Sequence, residues 1–262
     1  MNEHLPTPSS APVAARDART STAPRQDFTS LARSEWLKIA SLTSMRWLAL
    51  ATVGAGAVGA GAFASSAEAS TTTAVLGSAT LSALVIGLLT ALGMTSEYAT
   101  GSIRTTLTVA PRRGLALLAK AAVSALLGAV LSVVGSVAGL SATSAMHPGG
   151  WIEVGTVVRA VGAAAIYVAV VAVFCLLLGT VLRGVALTTA SVMALVLLLP
   201  AMTGGVRVGD VFLSDYLLSE AGPGLVLQTS FGAGAWVQVA TVCVWMALAA
   251  AAAAARLGRS DA

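Results

Sequence analysis

The sequence predicts an all-α fold: a polytopic membrane protein with six transmembrane helices, an N-terminal interfacial amphipathic helix and a short cytoplasmic helix after the second span. Three observations predict it. Only 10% of the 262 residues are charged and 56% are hydrophobic, whereas about 25% charge is usual in a soluble domain. The mean hydropathy is accordingly high, at +0.86. The charges are also clustered so that long uncharged runs separate them, and the basic residues fall mostly on alternate connections.

The runs are Trp47 to Ala67 (21 residues), Ala69 to Ser96 (28), Ala121 to Ile152 (32), Ala160 to Leu182 (23), Gly184 to Val206 (23) and Ala221 to Ala255 (35). A helix crosses the hydrocarbon core with about 20 apolar residues, each rising about 1.5 Å. Each run therefore accommodates one crossing, and the spans are expected at about 46–66, 73–96, 115–145, 156–181, 184–203 and 235–256.

Arginine and lysine set the orientation. With the N-terminus inside, the cytoplasmic side carries Arg16, Arg19, Arg25, Arg33, Lys38 and Arg46, then Arg104, Arg112, Arg113 and Lys120, then Arg183, and finally Arg256 and Arg259. That is 13 of the 15 basic residues, leaving Arg159 and Arg207 outside. Both termini are expected in the cytoplasm.

Residues 1–26 are rich in Pro, Ala, Ser, Thr and Arg and hold no apolar stretch. A cleaved signal peptide needs a hydrophobic region of about 7–15 residues, so this segment is expected to be a disordered cytoplasmic tail. From Asp27, a candidate N-cap, the pattern changes. Phe28, Leu31, Ala32, Trp36, Ile39 and Leu42 follow the helical period, with Arg33, Ser34, Leu37 and Lys38 on the other side. A helix over 27–45, with Trp36 at headgroup depth, is expected to lie in the membrane plane. Glu35 falls inside the apolar stripe. Either it snorkels or pairs with Lys38 three residues on, or it contacts a transmembrane helix or a partner.

Two connections are long enough to have roles of their own. EYATGSIRTTLTVAPRRG, residues 97–114, has Thr100 as a candidate N-cap, Ile103, Leu107 and Ala110 on one face, and Pro111 as a stop. It predicts a short amphipathic helix protruding into the cytoplasm; a bare positive-inside anchor would need the arginines but neither Glu97 nor the helical period. The outer segment 204–234 contains Asp210, Asp215 and Glu220, and its VFLSDYLL portion is expected to form one or two helices against the outer surface, with a bend at Pro223. Small residues mark close helix contacts, within the chain or between subunits. Ser124, Gly128, Ser132 and Ser136 recur every four residues beside Gly135 and Gly139, and Ala51, Ala55 and Gly59 do the same in the first span.

Several chemistries are excluded. The two lysines, Lys38 and Lys120, neither follow Gly nor precede Ser or Thr, so the chain has no P-loop with which to hold ATP phosphates. Cys175 and Cys243 lie in apolar runs as small hydrophobes, and His4 and His147 are the only histidines, so no metal site is expected. Between its charged ends no span carries an Asp, Glu, Lys or Arg, which disfavours ion-driven carriers, intramembrane proteases and channels with charged rings. No catalytic residue, cofactor or nucleic-acid partner is expected.

Two elements carry a resemblance to a known family. SEWLKIASLTSMRW, Ser34 to Trp47, and TSEYATGSIRTTLTVAPRRGLALLAK, Thr95 to Lys120, resemble the opening of the first span and the loop after the second in ABC-2 type membrane subunits of ATP-binding-cassette exporters. The group most similar is that of drug and peptide-antibiotic export or immunity permeases of high-GC bacteria. SEAGPGL, Ser219 to Leu225, is a third, weaker point of similarity, and Ser102 departs from the threonine commoner in the family.

The resemblance implies a half-transporter in the bacterial cell membrane, paired as a homodimer or with a similar six-span permease and served by a separate ATPase subunit that binds the ATP. By position, Glu97, Gly101, Ile103, Arg104, Pro111 and Arg113 would belong to a coupling helix that fits the ATPase, and Glu35, Trp36 and Lys38 to the interfacial helix beside it. The cargo implied is hydrophobic or amphipathic: a drug, a peptide antibiotic or a lipid. The alternative, prompted by the acidic outer segment, is a non-transporting immunity or sensor protein that binds a ligand at its outer face.

Overall fold

The computed structural model describes residues 27–65, 70–100, 113–146, 153–208, 211–227 and 233–258. A first helix, α1 (Phe28–Ser41), precedes five long ones: α2 (Thr43–Ala64), α3 (Thr71–Ala99), α4 (Arg113–Met146), α5 (Val154–Leu182) and α6 (Val185–Thr203). A two-residue antiparallel ladder follows, β1 (Arg207–Val208) on β2 (Val211–Phe212), with Arg207 opposite Phe212. Then come a 3-10 turn (Leu213–Tyr216), α7 (Leu218–Leu227) and α8 (Ala233–Gly258). The six helices α2, α3, α4, α5, α6 and α8 are long and apolar enough to cross a membrane. The chain is a multi-pass, almost wholly helical membrane protein, and these six helices begin and end within three residues of the expected spans.

Helices α3 and α5 form the centre, with 61% and 56% of their apolar windows buried inside the chain, against 11% for α6 and for α8. The centre is tight because its contact positions are small. A Cβ on Gly59 of α2 would run into the Gly77 carbonyl of α3, and one on Gly77 into that of Gly59, so the two backbones touch where only glycine fits. Beside this point Ser136 of α4 donates to Ser78 at 3.1 Å, and Ser82 donates to the Thr52 carbonyl at 3.3 Å. These two buried hydroxyls thus find partners within the protein.

The small-residue stripe of α4 is used within the chain. Gly128 meets Val168 and Ala172 of α5, while Gly135 and Gly139 meet α2 at Gly56 and Ala60. Of the α2 stripe Gly59 is buried, Ala55 half-buried and Ala51 exposed.

Local signals account for several boundaries. Ser70 and Thr73 form a reciprocal capping box at the start of α3. Within α6 the residues Ala194–Leu198 adopt a π-helical turn, with the Leu199 N–H donating to the Ala194 carbonyl. Pro200 follows directly; it has no N–H, and its ring would strike the carbonyl four residues back, a conflict that a widened turn relieves. Asp27 sits at the N-cap of α1, yet its side chain makes no capping bond.

The segment after α6 forms two short helices, as expected; its first part, with Phe212, Leu213 and Tyr216, is exposed, and its second helix packs into the bundle. The Trp245 indole, halfway along α8, donates to the Tyr216 carbonyl at 2.9 Å. Gly222 of α7 lies so close to the Tyr167 ring, mid-way along α5, that any side chain there would overlap it. Leu217 and Leu218 are buried. Pro223 lies inside α7, which continues beyond it to Leu227. The physical reason is that α5 and α8 present the Tyr167 ring and the Trp245 indole on this side, and the second helix with the turn before it packs against them.

Candidate functional site

The most unusual chemistry lies where α1, the last turn of α3 and the first turns of α4 meet. Helix α1 turns Leu31, Ala32, Glu35, Lys38 and Ile39 toward the bundle, and Glu35 is its one buried residue. Phe28, Trp36, Leu37 and Leu42 are exposed, and Lys38 is not on the far side: three residues after Glu35, it shares the carboxylate's face. Glu97 comes from α3, three residues before its C-cap Thr100, and Lys120 from the second turn of α4.

These four side chains form a closed quartet. Lys38 Nζ donates to Glu35 Oε1 at 2.6 Å and to Glu97 Oε1 at 3.2 Å. Lys120 Nζ donates to Glu97 Oε1 at 2.7 Å and to Glu35 Oε2. Each carboxylate bridges two ammonium groups and each ammonium bridges two carboxylates. The Glu35, Glu97 and Lys120 side chains are 10%, 13% and 15% exposed, that of Lys38 42%. Uncompensated, such buried charges would be costly; mutual pairing makes their burial tolerable.

The ionisation equilibria agree with the geometry. Burial alone would raise the Glu35 carboxyl, but the Lys120 ammonium and the hydrogen bonds from Lys120 and Lys38 outweigh it and hold the group below its ordinary value. Burial alone would lower Lys38, but hydrogen bonding and the charges of Glu35 and Glu97 leave it above its ordinary value.

A second tie lies at the same end. Arg183, in the left-handed conformation (φ 57°) at the end of α5, places its guanidinium 5.2 Å from the centre of the Tyr98 ring on α3. Its Nη2 also donates to the Arg256 carbonyl near the end of α8 at 3.3 Å. The ends of α3, α5 and α8 and the start of α4 thus form one charged end of the bundle, with α1 across it.

Beside the quartet opens a cavity of about 560 Å³. Lys38, Glu97 and Lys120 line one part of it, while Leu42, Met45, Leu89, Met94 and Leu176 line much of the rest, with several Ser and Thr side chains among them.

Of the residues singled out in the sequence, Glu35, Lys38 and Glu97 are brought together, and Trp36 points away from them, 48% exposed. Gly101, Ile103, Arg104 and Pro111, and with them the expected helix after Thr100, lie outside the described residues. Arg113 is described only as the backbone start of α4. Lys120 was the residue that spacing did not single out: a lysine at a span end reads as an orientation signal. Its clue was scarcity, because both lysines of the chain join the quartet. Among the described residues no group of His, Cys, Asp and Glu is arranged to hold a metal ion. No known protein family and no curated protein matches the chain.

The quartet fastens three helices together. It is a joint: Glu97 and Lys120 lie on either side of the 101–112 connection, and both are fastened to α1.

Proposed function

We propose that the chain is the membrane subunit of an ABC-2 type exporter in a bacterial cell membrane. Two six-span subunits, identical or similar, would be driven by separate ATPase subunits that hold all the ATP. The charged end would face the cytoplasm, with α1 in the plane of the inner leaflet. The observation that carries this reading is the quartet: α1 and both helices flanking the 101–112 connection are joined by ion pairs through Glu35, Lys38, Glu97 and Lys120. A push delivered to that connection by an ATPase would move three elements together. Coupling then follows from rigid transmission, with no catalytic residue in this chain. The cargo on this reading is hydrophobic or amphipathic and moves outward.

The test is co-purification of the full chain with any ATPase encoded beside it, followed by ATPase and export assays on Arg104→Ala and Arg113→Ala. Both arginines belong to the coupling segment by the family resemblance. The expected result is a chain that inserts normally and binds the ATPase, with cargo-stimulated hydrolysis lost. Failure of any ATPase to co-purify, with ligand binding at the opposite face intact, would favour a non-transporting immunity or sensor protein instead.

A further inference from the structure

We propose that the cavity beside the quartet binds a phospholipid from the membrane leaflet at the charged end, its phosphate at Lys38 and Lys120 and its acyl chains against the apolar wall. Size is the first argument. At about 560 Å³ the cavity falls within the range of roughly 300–1,000 Å³ common for small-molecule sites.

Depth is the second argument. Helix α3 has 29 residues, about 43 Å at ~1.5 Å per residue, which matches a bilayer including its headgroup layers. In a helix centred on the membrane, Glu97 lies about 18 Å from the midplane and Leu89 about 6 Å. The charged rim therefore stands at headgroup level and the Leu89 wall in hydrocarbon, the polarity profile of a phospholipid.

Donor count is the third argument. An ammonium group has three N–H donors. Lys38 and Lys120 each direct two of them to the quartet's carboxylates, which leaves one on each for a phosphate oxygen. Glu35 and Glu97 balance the two lysines, so the recess is neutral as a whole and offers a phosphate the remaining ammonium donors at headgroup depth. As a binding site the assignment stands on the cavity alone; as the place where a lipid cargo is loaded, it rests on the exporter reading.

The test uses the full chain, delipidated in detergent, and native mass spectrometry with added phosphatidylethanolamine, a diacylglycerol of the same chains, or glycerol phosphate. One phosphatidylethanolamine per chain is expected to survive activation, at least tenfold more than diacylglycerol, and glycerol phosphate is expected not to bind. Gly93→Leu fills the cavity: a Cβ there meets only Met45, at 3.9 Å, and no quartet residue is replaced. It should reduce phosphatidylethanolamine binding about tenfold, and Lys38→Gln, at a part-exposed position, should reduce it severalfold. Equal binding of phosphatidylethanolamine and diacylglycerol by the wild type overturns the proposal, as does tight binding of glycerol phosphate alone. So does wild-type retention by both variants. No ATPase enters these measurements, so loss of the exporter reading and loss of the lipid site are separate outcomes.

Discussion

At one end of the bundle Glu35, Lys38, Glu97 and Lys120 neutralise one another across three helices. At the other, α7 and the turn before it are held by ring contacts: Gly222 on Tyr167, and the Trp245 indole on the Tyr216 carbonyl. Trp245 in turn stands edge-on to Phe174, with centroids 6.0 Å apart. The acids Asp215 and Glu220 of this second end make no ion pair among the described residues. One end is thus fixed by compensated charge and the other by shape. Deleting a group from the first leaves an orphaned charge in a poorly solvated place, whereas deleting one from the second loses contacts but strands nothing.

The largest effect is accordingly expected at Lys120. Lys120→Met takes an ammonium from both carboxylates at once, and breaking a buried pair from one side costs about 3–5 kcal/mol. The midpoint of denaturant unfolding in detergent should fall correspondingly, and adding Glu35→Gln should restore part of it by removing one stranded charge. A loss below about 1 kcal/mol, the size of a surface ion pair, would mean that compensation is not what holds this end. Gly222→Val tests the other end. The added carbons overlap the Tyr167 ring, and overpacking of this kind costs about 1–3 kcal/mol. Rescue by Tyr167→Leu would show that the clash, and not helix propensity, is responsible.

The same contrast separates what could be read from sequence and what could not. Six helices were legible because a bilayer imposes one coarse rule, about 20 uncharged residues per crossing, and gaps between charges report it directly. Glu35 was legible as an anomaly, since a carboxylate in an apolar stripe requires a partner. That the partner includes Lys120, 85 positions away, depends on how α1 folds back across α4, which no local pattern encodes. The packing of residues 217–224 against the bundle was illegible for a related reason. Which residues of VFLSDYLL stay exposed and which are buried depends on where α5 and α8 present Tyr167 and Trp245, a property of the assembled bundle. The glycines of α4 announced close approach but not to which helix.

A smaller loss is expected from Trp245→Phe. It keeps the aromatic body and removes the indole donor to the Tyr216 carbonyl, a net hydrogen-bond contribution of about 1 kcal/mol. Proteolysis of the native protein at the turn over 213–216 should accelerate while the charged end keeps its protection. Equal acceleration at both ends would mean that the two are not independent.

Acid should move the two ends in opposite directions, and by the least. Glu220, exposed as a residue but partly desolvated at its carboxyl, is raised above its ordinary 4.5 by burial first and by the charge of Asp215 second. A raised folded-state value means that the folded protein binds the proton more readily than the unfolded chain, so stability rises as the pH falls toward 4.5. Glu35 is held below 4.5, so its contribution is complete above that pH and is lost only on further acidification. Lys38, raised above 10.5, contributes fully below that pH and loses its contribution as the solution becomes more alkaline still. Stability should therefore increase slightly from neutrality into mild acid and then fall. Glu220→Gln should remove the rise and keep the fall, and Glu35→Gln should flatten the fall while lowering the whole curve. If Glu220→Gln left the rise intact, the second end would not be carrying an unpaired acid, and the division between charge-held and shape-held ends would fail there.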